Sequence, residues 1–114
     1  MIGACLEVYN TLGTGFLEII YKDALEIEFK RRGIPYVREK TFPVFYKGID
    51  LKKSFDVDFF VFEKINLEVK ATSGLAESHY LQTKNYCACS NQRLGLLVNF
   101  GEPSLVHKRI LSGY

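Results

Sequence analysis

The stretch that decides the fold is FDVDFFVFEKINLEVKA, residues 55–71, in which two alternating runs flank a short break. The first run has apolar residues at 55, 57, 59 and 61, with acidic residues at 56 and 58. The second run repeats the alternation around Glu68 and Lys70. Alternation of period two is typical of half-buried strands, and the break at 62–64 is typical of a hairpin. The stretch therefore predicts two antiparallel strands.

Acidic residues from both strands are expected to meet on one face of this hairpin. Pairing about a turn near residues 63 and 64 brings Asp58 opposite, or nearly opposite, Glu68. Lys70 is two residues beyond Glu68, so its side chain points the same way. Two carboxylates at close range repel each other unless a positive charge lies between them. The pattern therefore predicts a cation site bounded by Asp58, Glu68 and Lys70.

The chemistry of such a site favours phosphodiester hydrolysis. Carboxylate oxygens suit Mg²⁺ or Mn²⁺, which keep open positions for water and phosphate. A lysine beside the metal can orient or deprotonate a water, or stabilise charge on phosphate oxygens. A Glu-x-Lys pattern alone indicates only an exposed ion pair, so the hypothesis depends on Asp58. Asp56 has the same strand parity and competes with Asp58 for the site.

Composition indicates an ordinary soluble protein with one domain over residues 1–114. The chain has 15 Lys plus Arg against 13 Asp plus Glu, 47% apolar and 25% charged residues, and at this length it can bury one core. The net charge of +2 is too small to identify a nucleic-acid binder, although it leaves room for a local basic groove. No apolar run or leader pattern predicts a membrane span or a signal peptide. We expect a cytoplasmic protein.

The cysteines argue against a disulfide framework and against structural zinc. There are three of them, Cys5, Cys87 and Cys89, and neither histidine falls at a metal-ligand interval from them. We expect inert thiols in a reducing compartment. The first helical pattern opens directly after Met1 with no residue to cap it, which predicts a shortened or late start.

The remaining periodicity predicts helices on both sides of the hairpin, and further strands. Helices are expected at about residues 2–11, 15–32 and 76–90. Strands are expected at about residues 36–40, 42–46, 94–100 and 105–111. Pro43 indicates an edge or bulge position, and Lys47-Gly48 is typical of a turn.

The order of these residues resembles the PD-(D/E)XK nuclease superfamily. Asp58 is followed by Glu68-Val69-Lys70, and QTKNY at 82–86 resembles the Gln-x-x-x-Tyr element of its RecB-like branch. Residues 15–21, GFLEIIY, resemble the GxxExxY signature of a family of small bacterial and archaeal proteins placed in this superfamily. The resemblance covers nearly the whole chain. It departs from the common pattern in one place, where Val57 instead of proline precedes the aspartate.

The resemblance implies a fold and a metal site. The fold is α/β (α+β), a restriction-endonuclease-like core with a mixed sheet flanked by helices, and the site lies where the hairpin diverges. We choose Asp58 over Asp56 because it aligns with the family's aspartate and lies nearer Glu68. Four groups would hold Mg²⁺ or Mn²⁺: the carboxylates of Asp58, Glu68 and Glu18 and the backbone carbonyl of Val69.

The resemblance also implies roles for the other polar residues. Lys70 would be the catalytic lysine, and Asp58 and Glu68 would complete the catalytic set. Gln82 and Tyr86 would lie on the helix beside the site, where they place the nucleic-acid backbone or hold Lys70 and the water.

The leading hypothesis is therefore a metal-dependent nuclease that acts on DNA in preference to RNA. The alternative is a non-catalytic nucleic-acid-binding or protein-interaction module on the same fold, and a third reading is a structural α/β protein whose acids face solvent. One domain of this length has little room for a separate sequence-reading element, so specificity is expected from a homodimer or another protein subunit.

Overall fold

The computed structural model describes residues 1–112, which form a mixed five-stranded sheet with three helices. The elements in chain order are α1 (Ile2–Leu12), α2 (Glu18–Arg31), β1 (Tyr36–Tyr46), β2 (Ile49–Val61), β3 (Ile65–Lys70), α3 (Glu77–Cys89), β4 (Leu94–Asn99) and β5 (Val106–Leu111). The strands lie in the sheet in chain order, from β1 to β5. Only β3 and β4 are parallel. This α+β architecture confirms the expected mixed sheet flanked by helices.

The loop before α2 is clamped to that helix by a tyrosine. We expected α2 to begin near Gly15, but it begins at Glu18, because Gly13 and Gly15 have φ values of +69° and +105° that end helical geometry. The Tyr21 hydroxyl donates to the Gly13 carbonyl at 2.6 Å and accepts the Phe16 N–H at 3.3 Å. The loop over residues 13–17 is thus tied to the first turn of α2 by Tyr21.

The β1 edge strand is continuous, where two shorter strands were expected. It pairs with β2 from Tyr36 to Tyr46, with a register shift between Pro43 and Phe45. The shift confirms the predicted edge or bulge at the proline, which cannot donate a ladder hydrogen bond.

The helices cover opposite faces of the sheet. Residues of α1 and α2 share one buried cluster with alternate residues of the strands, and the largest of these side chains are Tyr21, Leu25, Phe29, Phe59, Leu67 and Phe100. The intervening strand residues face α3, which approaches β4 closely at Gly95. A Cβ on that glycine would lie 2.7 Å from the Cys87 sulfur. In residues 1–112 no helix is long and apolar enough to cross a membrane.

The β2 strand changes faces near Asp58, although burial alternates over residues 55–61 as the sequence predicts. Phe59 packs edge-on against Phe29 of α2, with ring centroids 5.3 Å apart. Phe55 has the same parity but stacks on Tyr86 of α3 at 4.3 Å. The physical reason lies in the neighbouring strand, because Glu39, which faces Asp58 in the register, has a left-handed φ of +55° and interrupts the ladder.

Candidate active site

The candidate site lies where β2 leaves β3. Backbone pairing between these strands runs from Val61 and Ile65 to Phe59 and Leu67 and then stops. The next two positions in the register are Asp58 and Glu68, so the structure brings these residues together as the hairpin predicted. The Asp58 side chain takes the place of the backbone pairing that stops here, because its Oδ2 accepts the backbone N–H of Val69 at 2.8 Å.

Glu68 is a buried acid, and among residues 1–112 one of its carboxylate oxygens has no hydrogen-bond partner. Its side chain is 4% exposed. Burial, followed by the charge of Asp58 and a side-chain hydrogen bond with it, raises the pKa of Glu68 to about 9, while the charge of Lys70 acts in the opposite direction. Within residues 1–112, no group hydrogen-bonds Oε1 of Glu68. An orphaned, buried carboxylate oxygen beside a second carboxylate is a donor set that fits a divalent cation.

The backbone of Val69 faces the same opening. Its N–H points to Asp58, and in an antiparallel ladder the N–H and C=O of one residue point to the same neighbour. The carbonyl of the next residue, Lys70, instead accepts the N–H of Phe100, which follows β4. Successive residues of β3 thus direct their N–H and C=O groups alternately toward β4 and toward the space where β2 diverges. The Val69 carbonyl is expected on the side of that space.

The loop after Lys70 is held by a buried amide. Asn99 accepts the backbone N–H of Thr72 at 3.0 Å and of Gly101 at 3.1 Å, and its amide donates to the Thr72 carbonyl at 3.0 Å. A Cβ at Gly101 would lie 2.2 Å from that carbonyl oxygen, so only glycine fits there. The end of β3, and with it the half-buried Lys70, is fixed in position.

Lys22 is a residue of the site that the sequence interpretation missed. Its side chain is buried in α2, its Nζ lies 3.0 Å from Oδ1 of Asp58, and it also donates to the Glu39 carboxylate. Burial disfavours its charge, but the hydrogen bonds and charges of Glu39 and Asp58 together outweigh burial and raise the pKa of Lys22. A permanent cation therefore sits against Asp58. The available signal was its position on the buried stripe of α2, three and seven residues before Leu25 and Phe29.

Glu18 begins α2 one turn before Lys22 and is half-buried. In the part of the chain that the structure describes, no group of three or more His, Cys, Asp or Glu side chains is arranged to hold a metal. The structure therefore brings Asp58 and Glu68 together but does not gather Glu18 with them into such a group.

The two positioning candidates lie on α3. Tyr86 is half-buried against Phe55, and its pKa is raised by burial and then by the charges of Glu68, Asp58 and Asp56, so this ring borders the acids. Gln82 lies one helical turn earlier and is exposed.

The competing aspartate lies in different surroundings. Asp56 is exposed, and its Oδ1 accepts the hydroxyl of Thr41 on β1 at 2.6 Å. It thus bonds to the edge strand, whereas Asp58 contacts β3 and α2. Asp56 and Asp58 are two residues apart on β2, but their surroundings differ because the strand changes faces between them.

Comparisons with known proteins bear on the fold and the family of the chain. A solved protein described as "Crystal structure of SSO0001" is similar in fold, with a TM-score of 0.65 and 20% sequence identity over 83% of this chain. This chain spans about half of that protein, 50% of its length. A search of curated proteins gives no match. A family model described as "PD-(D/E)XK nuclease superfamily" matches residues 1–110. With its paired acids and lysine at the divergence of β2 and β3, the chain belongs to the PD-(D/E)XK nuclease superfamily.

Proposed function

We propose that this protein is a metal-dependent nuclease that hydrolyses phosphodiester bonds, in DNA in preference to RNA. The observation that carries the proposal is the pairing of half-buried Asp58 with buried Glu68 beside Lys70, and among residues 1–112 one carboxylate oxygen of Glu68 has no hydrogen-bond partner. Membership of the superfamily supports the same reaction class. We propose that residues 1–114 form one such domain, of the GxxExxY type and the RecB-like branch, on the strength of the 15–21 and 82–86 motifs.

The proposed metal ligands are Asp58, Glu68, the Val69 carbonyl and Glu18. A bound Mg²⁺ or Mn²⁺ supplies polarisation of a phosphate oxygen and lowers the pKa of a coordinated water. Asp58 is held for this task by the Val69 N–H. Glu18 stands one turn from Lys22 on α2, which is the support for counting it as a third acid.

Three other side chains act on substrate and water in this proposal. Lys70 shares the β3 face of Glu68, where its ammonium can orient the attacking water or stabilise negative charge on the phosphate. Tyr86, bordering the acids, and Gln82, exposed one turn away, position the nucleic-acid backbone. Lys22 places a positive charge against Asp58 before a metal binds, because its Nζ lies 3.0 Å from Oδ1 of that aspartate.

The test is cleavage by purified protein of supercoiled plasmid, linear duplex and single-stranded DNA, and of RNA, in Mg²⁺, Mn²⁺ or EDTA. We expect cleavage with either metal and none in EDTA. Glu68→Ala and Lys70→Ala are expected to lose at least about 10²-fold in rate, the lower end for general acid–base and electrostatic groups. Equal cleavage by parent and variants places the active site elsewhere.

Binding without cleavage supports the other candidate. If the parent binds DNA and cuts nothing under any of these metal conditions, the non-catalytic binding module replaces the nuclease. Asp56→Ala is the matched control, because it removes an acid from the same strand without touching β3.

A further inference from the structure

Beyond the site, β1 and β2 continue as a two-stranded arm, here called the ribbon, residues 40–57. The two strands pair from Lys40 and Val57 outward to Tyr46 and Ile49. Pairing with β3 ends at Phe59, so none of the described residues adds a third strand to the ribbon. A two-stranded ribbon is marginal in water by itself.

The net positive charge of the molecule lies in this arm. The ribbon contains four lysines, Lys40, Lys47, Lys52 and Lys53, and two aspartates. Its net charge of +2 therefore equals that of the whole chain, and the other residues sum to zero. A single protrusion carrying all the net positive charge is complementary to a polyanion.

The tip of the ribbon also exposes large apolar side chains. Phe45, Tyr46, Ile49 and Leu51 are between 47% and 67% exposed. The ammonium of Lys47 lies 5.4 Å from the centre of the Tyr46 ring. Apolar and aromatic side chains interleaved with lysines on an exposed element are typical of an interaction surface.

The backbone at the tip has a defined shape. Lys47 and Gly48 have φ values of +49° and +79°, the signs of a type I′ hairpin turn. A third left-handed residue, Lys52 at φ +55°, donates its N–H to Oδ1 of Asp50 at 2.8 Å. This irregularity faces the register shift between Pro43 and Phe45, and bulges of this kind re-aim the side chains beside them.

We propose that the ribbon is a docking element for duplex nucleic acid, with its lysines on phosphates and its apolar tip in a groove. The choice of ligand rests on the proposed function. A two-stranded ribbon fits the major groove of B-DNA. At about 3.3 Å per residue, Ile49 and Asp58 are separated by at most about 30 Å along β2, close to one turn of duplex. A duplex held at the tip is thereby led along β2 to the candidate active site.

The test is binding of a fluorescent duplex in EDTA, where nothing is cut, over a range of salt concentrations. Lys52→Gln/Lys53→Gln is compared with Lys30→Gln/Arg31→Gln, a double variant at the exposed end of α2 with the same change in net charge. We expect the ribbon variant to flatten the slope of log affinity against log salt by up to about 2, and to bind at least about tenfold more weakly at low salt. The α2 variant is expected to stay within about threefold of the parent.

Equal effects of the two double variants, or no effect of either, overturn the proposal. Ile49→Ser probes the tip and is expected to weaken binding without changing the salt slope. Sedimentation of the same proteins separates a protein interface from a nucleic-acid one. If Ile49→Ser turns a dimer into a monomer and leaves DNA affinity unchanged, the ribbon joins two copies of the chain and the proposal is wrong.

The outcome is separable from that of the proposed function. If the ribbon variant binds DNA more weakly but the parent never cleaves it, the ribbon proposal stands and the nuclease proposal is wrong. If the parent cleaves DNA, and the ribbon variant binds and cuts it equally well, only the ribbon proposal is wrong. Thermal unfolding of both double variants within a few degrees of the parent shows that the exposed substitutions leave the fold intact.

Discussion

Lys22 is a buried cation that contacts Asp58 in the metal-free protein. Its ammonium lies between the carboxylates of Asp58 and Glu39, and its side chain is 10% exposed. Removing one partner of a buried ion pair leaves the other charge desolvated and unpaired. The ammonium also repels a divalent cation that uses the same aspartate. We therefore expect Lys22 to stabilise the metal-free protein and to weaken metal binding at the proposed site.

The Lys22→Met variant is expected to unfold more easily than the parent in EDTA, by about 1–3 kcal/mol, because the carboxylates that lose their partner are partly exposed. Added Mn²⁺ is expected to raise its melting temperature more than it raises that of the parent, because the aspartate has lost its competing cation. Thermal melts with and without Mn²⁺ measure both effects. Lys30→Met, on the exposed side of the same helix, is the control and should resemble the parent. A smaller Mn²⁺ shift in Lys22→Met than in the parent contradicts this role.

Glu68 makes the stability of the metal-free protein depend on pH. Its pKa is raised to about 9 from 4.5, so between these values the folded protein keeps a proton that the unfolded chain releases. The free energy of unfolding therefore falls as pH rises, with the full contribution present only below about pH 4.5. Where the proton counts differ by one, the slope is about 1.4 kcal/mol per pH unit.

We expect Glu68→Gln to remove this decline in stability between about pH 5 and 9, because glutamine does not titrate. Urea unfolding in EDTA at several pH values measures the difference in slope between parent and variant. Parallel pH profiles for the two proteins show that Glu68 is not the protonated acid.

At the scale of elements, α3 carries the two positioning candidates and is seated on β4 through a glycine. A Cβ at Gly95 would lie 2.7 Å from the Cys87 sulfur and 2.9 Å from Cγ2 of Thr83, so Gly95→Ala must push the helix away from the sheet. Overpacking of this kind costs about 1–3 kcal/mol. Chemical denaturation should show that loss for Gly95→Ala. Gly74→Ala, with nothing within 4 Å of its added Cβ, should unfold like the parent.

The hairpin could be predicted from sequence because the residues that form it lie close together along the chain. The alternation in 55–71 places Glu68 opposite Asp58 with a turn of only a few residues between the strands. The face change at Asp58 could not be predicted the same way, because it accompanies the left-handed conformation of Glu39 on another strand. The contact between Lys22 and Asp58 joins residues 36 positions apart, although a lysine on a buried helical stripe was a usable signal.

At the scale of the whole molecule, opposite charges occupy different places. Acids gather where β2 leaves β3, and the net positive charge lies on the ribbon that extends from the same strand. The net charge of +2 gave no indication of this separation, since it sums over both regions. The ribbon, proposed to bind the duplex, and the proposed reaction centre thus lie on one continuous strand, β2.

The central claim is that Asp58 and Glu68 hold a divalent cation, and calorimetric titration of Mn²⁺ into the metal-free protein tests it most directly. We expect the parent and Asp56→Asn to bind one ion per chain with matching affinity. Asp58→Asn is expected to bind at least about tenfold more weakly, because it removes a charged ligand from the site. Unchanged Mn²⁺ binding by Asp58→Asn, or no binding by the parent, contradicts the claim.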